Sequence, residues 1–501
     1  MDPRWLFADQ LGPHFLDDAD GGDQQEVLLV ESRRVLARRR FHRQKAHLVL
    51  SALRHRAAEL GDRCRYVRAA TYAEALEGLP GRGRRRVEVV HPTSYAALRL
   101  VRARPEVSRV LPPRGFATPR EEFERWAAGR GGRRLLMEDF YRGARRRHGL
   151  LLDDGAPAGG RWNLDHDNRQ PPPKGRTRVA DVDPWWPEED EIDEEVRADL
   201  DRWERAGEVS FVGRDGPRRF AVTRGEAERA LERFAAERLA GFGPHEDAML
   251  GSDDWMAHSL LSAPMNLGLL HPLECARRAE AEYRAGRAPL ASVEGYVRQL
   301  VGWRDYVWHV YWHAGEDYAR RNALGARRRL PRWFADLDAD AVGAHCLRDV
   351  LAGVRDHAWV HHIPRLMVLG GYALQRGWSP QELTRWFHLS FVDGYEWVMV
   401  ANVVGMSQHA DGGFMATKPY LSGGAYIDRM SDYCRSCPYS PKVRVGDGAC
   451  PYTAGYWWFV ARHRERLAAN PRTSQVVRGL GRLRDLDELV VQEERRHSSA
   501  P

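Results

Sequence analysis

Lysine is nearly absent. Of 77 basic residues only Lys45, Lys174, Lys418 and Lys442 are Lys, and the rest are Arg. A GC-rich coding bias accounts for that, and a net charge of +7 over 501 residues is too small to make nucleic acid the default partner. No apolar run reaches the roughly 18 residues that cross a bilayer, so no membrane partner is expected. The opening MDPRWLFADQ lacks a basic segment followed by an apolar one, and a cytoplasmic location is expected. No G-x-G-x-x-G follows the first apolar run and no P-loop occurs, which excludes the dinucleotide fingerprint and the phosphate-cradling NTPases. Tryptophan is scarce at the start: one of 17 precedes residue 126, whereas eight lie from Trp303 to Trp397.

What is present suffices for large folded units, because 43% of the residues are hydrophobic. Over the first 125 or so residues, short apolar runs (Trp5–Phe7, Val27–Val30, Arg65–Val67, Val87–Val90) alternate with helical spacing, as at Leu50, Leu53, Ala57 and Leu60. That alternation predicts an α/β unit with a parallel, Rossmann-like sheet. Ligands of such sheets bind beyond the carboxyl ends of strands, which points to Asp9, Gln10 and Glu31. Residues 153–187 form a connector by composition, with Pro171, Pro172 and Pro173 incompatible with helix or central strand. The acidic run Glu188–Glu195 then opens a helix, and from about 196 to 480 the pattern is helical almost throughout.

Six cysteines are few, but three are clustered. Cys434-x2-Cys437 is followed by twelve residues and Cys450, in a turn-rich stretch. A C-x2-C in a cytosolic chain points to metal rather than disulfide. Cys346, 88 residues before Cys434, is the best fourth ligand, because Cys64 falls in a predicted strand and Cys275 in a helix. Four thiolates suit structural Zn²⁺ and [4Fe–4S] equally well.

Three further stretches carry a resemblance: DHAWVHHIPRLMVLGGYAL (356–374), RWFHLSFVDGYEWVMVANVVGMSQHADGG (385–413) and HSLLSAPMNLGLLHP (258–272). With MEDFYRGARRRHGLLLD (137–153), GGRWNLDHDNRQPPP (159–173) and the cysteine-bearing KPYLSGGAYIDRMSDYC (418–434), they resemble the photolyase–cryptochrome superfamily, in particular its bacterial iron–sulfur branch of prokaryotic (6-4) photolyases and related cryptochromes. The resemblance implies an α/β antenna-binding domain over 1–130, an interdomain connector over 131–195 and an all-α domain over 196–501 that holds FAD and, on Cys346, Cys434, Cys437 and Cys450, a [4Fe–4S] cluster. It implies light-driven repair of (6-4) photoproducts in UV-damaged DNA by a monomer, with a blue-light photoreceptor of little repair activity as the alternative. An iron–sulfur nucleic-acid enzyme of another class is disfavoured by the missing P-loop.

By the resemblance, His258, Ser259, Leu260, Leu261 and Ser262 line the FAD phosphates, with Trp303 and Arg304 nearby. Arg365 and Asp393 pair over the flavin ring, Asn402 faces its N5, and Trp386 is the nearest electron-transfer aromatic. His361 and His362 are matched to proton transfer to the lesion, a task suited to an imidazole that titrates near neutrality. Tyr420 and Met406 match the lesion pocket. Adjacent helical residues point about 100° apart, so the two histidines take different tasks.

A second expected aromatic step is missing, because Ala335 and Asp336 stand where the family has Trp; Trp333 and Trp359 are the candidate substitutes. Asp9, Gln10 and Glu31 match contacts of a 6,7-dimethyl-8-ribityllumazine antenna, although RRRFHRQK departs from the usual aromatic pattern there. DNA phosphates are assigned to Arg142–Arg147 and Arg320–Arg332, around a flipped-out lesion, and Mg²⁺ to the acidic run after the connector.

Overall fold

The computed structural model describes residues 2–17, 25–79, 86–496 and 498–501. Five parallel strands, β1 (Arg4–Leu6), β2 (Val27–Ser32), β3 (Cys64–Ala69), β4 (Val87–Val90) and β5 (Val107–Leu111), form one sheet in the order β3-β2-β1-β4-β5. The four expected strands are there. β5 escaped the sequence pattern because it is an edge strand with Ser108 and Arg109 exposed, so it has no apolar run. Every residue of β2 is buried, as a strand covered on both faces requires. The chain leaves β1 in one direction to make β2 and β3 and in the other to make β4 and β5. The loops after β1 and β4 therefore diverge and open a crevice.

The helix Arg43–Leu60 packs on β2 and β3, and against its outer side lies the helix Glu191–Arg205, which the acidic run opens. Asp190 caps that helix, accepting from Ile192 and Asp193, and Asp193 returns a bond to the Asp190 amide. The run is not a free carboxylate cluster. Glu189 pairs with Arg197, Asp193 with Arg218, Glu195 with Arg54 and Arg68, and Asp190 with His55. Asp190 and Asp193 also lie with His55 in a group whose possible ligand atoms are all within 4.8 Å of one another.

Beyond residue 205 the described chain is helical, and it runs past the expected end to a last helix, Leu486–Arg496. Three segments have π-helical turns: Arg298–Arg304, Pro364–Gly370 and Ala401–Ser407. No helix among the described residues is long and apolar enough to cross a membrane.

Candidate functional site

The centre of the site is an ion pair. Arg365 donates to both oxygens of Asp393, Nη1 to Oδ1 at 2.8 Å and Nη2 to Oδ2 at 3.0 Å, in the two-pronged geometry that fixes orientation. The Arg365 Nε donates to the Val360 carbonyl, and its guanidinium lies 4.3 Å from the centre of the Phe391 ring. Ser262 Oγ donates to Asp393 Oδ2 at 2.7 Å, and Asn266 Nδ2 to the Asp393 carbonyl at 2.9 Å. Thus the His258–Ser262 segment, the Pro364–Gly370 turn and the Asp393 loop meet at one place. The helix that begins at Ser262 is short, the five residues Ser262–Asn266.

The three π-helical segments each bring site residues: Trp303 and Arg304, then Arg365, then Asn402 and Met406. Extra residues per turn re-aim side chains and are frequent at functional sites. Asn402 Nδ2 is tied to the Val398 carbonyl at 2.9 Å, which holds the amide in one orientation. Met406 is half-buried against the core that contains Trp308 and Trp397.

The histidines divide their environments. His361 is buried and stacks on His258 with ring centres 4.3 Å apart. Burial holds both rings well below the ordinary histidine range, so both are neutral at pH 7. His362 is exposed, and its Nε2 lies 3.4 Å from Asp247 Oδ1. Tyr420 is half-buried, and burial raises its hydroxyl, with Arg169, Asp165, Asp247 and Arg472 among the charges that act on it. Asp247 and its buried neighbour Glu246 escaped the sequence reading, because one carboxylate in a polar loop carries no pattern. Burial pushes the Glu246 carboxyl up to about 7 although Arg298 Nη2 lies 3.4 Å away.

Around the ion pair, His258 Nε2, His361 Nδ1, Trp359 Nε1 and Trp386 Nε1 are all buried without a hydrogen-bond partner. Native proteins rarely leave such atoms unpaired, and four in one region fit a polar group held between them. Met256, Leu260 and Ala358 adopt left-handed backbone at φ 46°, 59° and 51° on the same two segments, a conformation that costs a side-chain-bearing residue energy and concentrates at binding sites.

Trp386 touches Phe391, the ring beneath Arg365, at 5.9 Å between ring centres, which puts it beside the ion pair. Of the two candidates for the missing aromatic step, Trp333 joins this row: Trp386 meets Phe334 at 4.4 Å, Phe334 meets Trp378 at 4.8 Å, and Trp378 meets Trp333 at 6.0 Å. Trp359 stacks instead on Trp255 at 5.3 Å, on the His258 side.

A second, small cavity lies at the crevice between β1 and β4, where the helical region closes over it. Asp9, Gln10 and Thr93 line it from the sheet; Asn266, Arg304 and Trp397 line it from the helices. Thr93 Oγ1 donates to Asp9, whose carboxyl burial raises to about 6. Arg304 lines this cavity too, 5.0 Å from the Trp397 ring centre, and it reaches the Ser262–Asn266 helix, donating to Asn266 Oδ1 and, at 3.2 Å, to the Met265 carbonyl. Glu31 is absent from the cavity. It accepts from Arg54 Nε and Nη2 at 3.0 Å each and from Tyr66, and that pairing ties β2 to the helix Glu191–Arg205 through Asp199.

Cys346, Cys434, Cys437 and Cys450 line one pocket, walled by Ile427, Tyr433 and Tyr452, and all four are free thiols. Burial, reinforced by the other three cysteines, raises the Cys346 thiol well above its ordinary value, so a cation would have to hold it as thiolate. A Cβ on Gly424 would lie 2.9 Å from Cys450 Sγ, so glycine is what leaves room beside the sulfur. Cys64 and Cys275 lie elsewhere, in β3 and in the helix Pro272–Arg284.

The arginine clusters are mixed: Arg320 and Arg332 keep side chains 77% and 95% exposed, while others are buried or paired. Arg145 is fully buried and donates to the Leu150, Leu151 and Trp162 carbonyls. Arg142 pairs with Glu138, Arg147 with Glu122, Arg320 with Asp317 and Arg332 with Asp336.

Residues 4–210 match the family model described as deoxyribodipyrimidine photo-lyase-related protein. The chain is 40% identical over 491 residues to the (6-4) photolyase of Agrobacterium fabrum, covering 94% of this chain and 93% of that protein. An uncharacterised protein of Acanthamoeba polyphaga mimivirus is 42% identical over 54 residues, 11% of this chain and 44% of that protein. The fold matches a bacterial class III photolyase from Agrobacterium tumefaciens with a TM-score of 0.56 at 13% identity, over 95% of this chain and 92% of that one.

Proposed function

Because the chain belongs to the photolyase–cryptochrome superfamily, in its prokaryotic (6-4) branch, we propose that it is a light-dependent (6-4) photolyase that restores the two pyrimidines of the lesion in DNA. The observation that carries this reading is the histidine pair at the Arg365–Asp393 site, one ring buried and neutral, the other exposed and paired with Asp247.

FAD is the cofactor the family implies, and the unpaired buried nitrogens around the ion pair suit it. Bound there, FAD would supply an electron on excitation and take it back. Arg365, Asp393, Ser262 and Asn402 would orient the ring, and Trp386 would exchange electrons with it. His362 reaches solvent, so it can give a proton to a flipped-out base and recover it, while Asp247 holds the imidazole in place. His361, stacked on His258, fixes the position of its neighbour. Tyr420 and Met406 would wall the lesion. Phosphate contacts are assigned to the exposed basic residues near Tyr420, Arg169 and Lys418 among them.

We assign the four-cysteine pocket to [4Fe–4S], supported by the match of the cysteine-bearing segments to the iron–sulfur branch. The Asp9–Gln10 cavity is assigned to a ribityllumazine antenna, at the place where doubly wound sheets bind ligands.

The test exposes a (6-4)-containing oligonucleotide to the purified protein under blue light. Intact bases should return in light and not in darkness; no restoration with fully reduced FAD bound would remove the repair reading. His362→Ala should slow restoration by roughly 100-fold or more with FAD retained, the usual contribution of a proton-transfer group. Anaerobically prepared protein should contain iron and acid-labile sulfide and no zinc.

A further inference from the structure

Three of the four lysines in this chain, Lys174, Lys418 and Lys442, are exposed. The fourth, Lys45, is 5% exposed. It lies in the first turn of the helix Arg43–Leu60, where the helix dipole disfavours a cation. Among the described residues it has no ion-pair partner; its Nζ donates instead to the His388 carbonyl at 2.5 Å and to the Gly394 carbonyl at 2.7 Å. The Phe41 and Tyr395 ring centres lie 5.6 and 5.4 Å from the same atom. A compact ammonium can aim separate N–H bonds at two carbonyls, which the planar fork of arginine does less well. Here a chain that writes arginine almost everywhere keeps lysine.

The two carbonyls bracket the turn that carries Asp393. His388 Nδ1 donates to the same Gly394 carbonyl at 2.7 Å, which leaves its Nε2 to accept from Arg39 at 3.3 Å. The turn is tight, because a Cβ on Gly394 would lie 2.5 Å from the Phe387 carbonyl oxygen. Neighbours of Lys45 are socketed alongside it: the His42 amide donates to the Leu389 carbonyl at 2.9 Å, and Gln44 Nε2 to the Asp356 carbonyl at 2.5 Å. The sheet-bearing part of the molecule thus grips both the Asp393 turn and the segment leading to His361. Of the charges around Lys45, Asp393 favours its ammonium form and Arg39 opposes it. His388 is neutral, held well below the ordinary histidine range by burial, and burial keeps the Tyr395 hydroxyl protonated. Burial outweighs Asp393 and pulls the ammonium down to about 7.

We propose that Lys45 is a positioning residue for the flavin: it ties down the Asp393 turn from the sheet side and, with Arg365, supplies the positive charge that balances Asp393. This rests on the FAD reading given above. Reduced flavin is an anion, so a cation nearby raises the potential of the bound ring. Lys45 does so when protonated and not when neutral.

The test is the midpoint potential of flavin bound to the full chain, at pH 6.0 and at pH 8.5. Lys45→Met removes the charge and both donors; Lys45→Gln removes the charge and keeps an N–H for each carbonyl. Both variants should have a lower potential than wild type at pH 6.0, and the gap should narrow at pH 8.5, where Lys45 has lost its proton. In the flavin-free chain, the Gly394 and Tyr395 amides should exchange hydrogen roughly 10-fold faster in Lys45→Met, the effect of losing hydrogen bonds from a charged donor, and at the wild-type rate in Lys45→Gln. Potentials equal to wild type at pH 6.0 would overturn the proposal. So would a lowering of the same size at both pH values, which is what a purely structural tie gives. Should Lys45→Met fail to fold, Lys45→Gln carries the potential measurement. Flavin absent from purified wild type would overturn the FAD reading, and amide exchange would still decide whether Lys45 holds the turn.

Discussion

At the scale of single residues, burial decides what each polar group does. His361 and His362 are adjacent in sequence, yet one is sealed against His258 and the other faces Asp247 and solvent. The helical angle between neighbours made different tasks legible beforehand, but which ring would be sealed depended on a histidine about a hundred positions away. Asp393 shows how much one carboxylate can organise. It holds Arg365, accepts from Ser262 and acts on the buried Lys45, whose ammonium burial pulls down to about 7. Asp393→Asn would keep the shape and leave Arg365 uncompensated. We expect a loss of about 3–5 kcal/mol, the cost of breaking a buried pair, with flavin lost as well. Urea unfolding and flavin absorbance on the same samples check this, and an unchanged midpoint with flavin retained would reduce Asp393 to a bystander.

At the scale of elements, the site is made where regular helices are interrupted. The π-helical segments Pro364–Gly370 and Ala401–Ser407 press together so closely that a Cβ on Gly370 would fall 2.2 Å from Ser407 Oγ. Their apolar spacing reads as ordinary helix, since one extra residue in a turn leaves no mark in the composition of a buried segment. The cysteine pocket has similar logic. The helix Gly424–Met430 starts against the helix Pro451–Arg462, and a Cβ at Gly424 would meet Thr453 Oγ1 at 2.3 Å and Cys450 Sγ at 2.9 Å. Gly424→Ala must therefore push the two helices apart, at about 1–3 kcal/mol. The expected outcome is lower metal content per chain, read by elemental analysis, with helical circular dichroism retained. Full metal content in the variant would show that the pocket is looser than these distances require.

At the scale of the whole molecule, buried neutral histidines couple stability to acid. Burial holds His14 and His309 at about 3 and His42 and His91 at about 4, with His258, His361 and His388 also well below their ordinary value. A folded-state value below the unfolded one, about 6.5, means that the unfolded chain binds more protons as pH falls below 6.5. The stability these rings contribute is complete above pH 6.5 and declines below it, by about 1.4 kcal/mol per pH unit for each ring until its folded value is reached. Asp9 and Asp305, raised to about 6, and Glu246, raised to about 7, oppose this because their protonated forms suit the fold, but they are fewer. Unfolding free energy measured at pH 7.5, 6.0 and 5.0 should fall in that order; a flat or rising series would mean that the carboxylates dominate.

The same scale separates what the chain alone determined from what tertiary structure decided. Composition and periodicity determined the α/β start, the proline-bound connector and the helical remainder, because burying an apolar stripe depends on local spacing. The cysteine spacing and the long motifs around His361, Asp393 and Asn402 determined the family. Tertiary structure decided which charges remain free. Glu31 and much of the acidic run were taken up by partners from other elements, and Arg304 was tied to the Ser262–Asn266 helix through Asn266 and the Met265 carbonyl. The physical reason is that a charge's partner is set by which elements pack together in space, and sequence spacing carries no record of it.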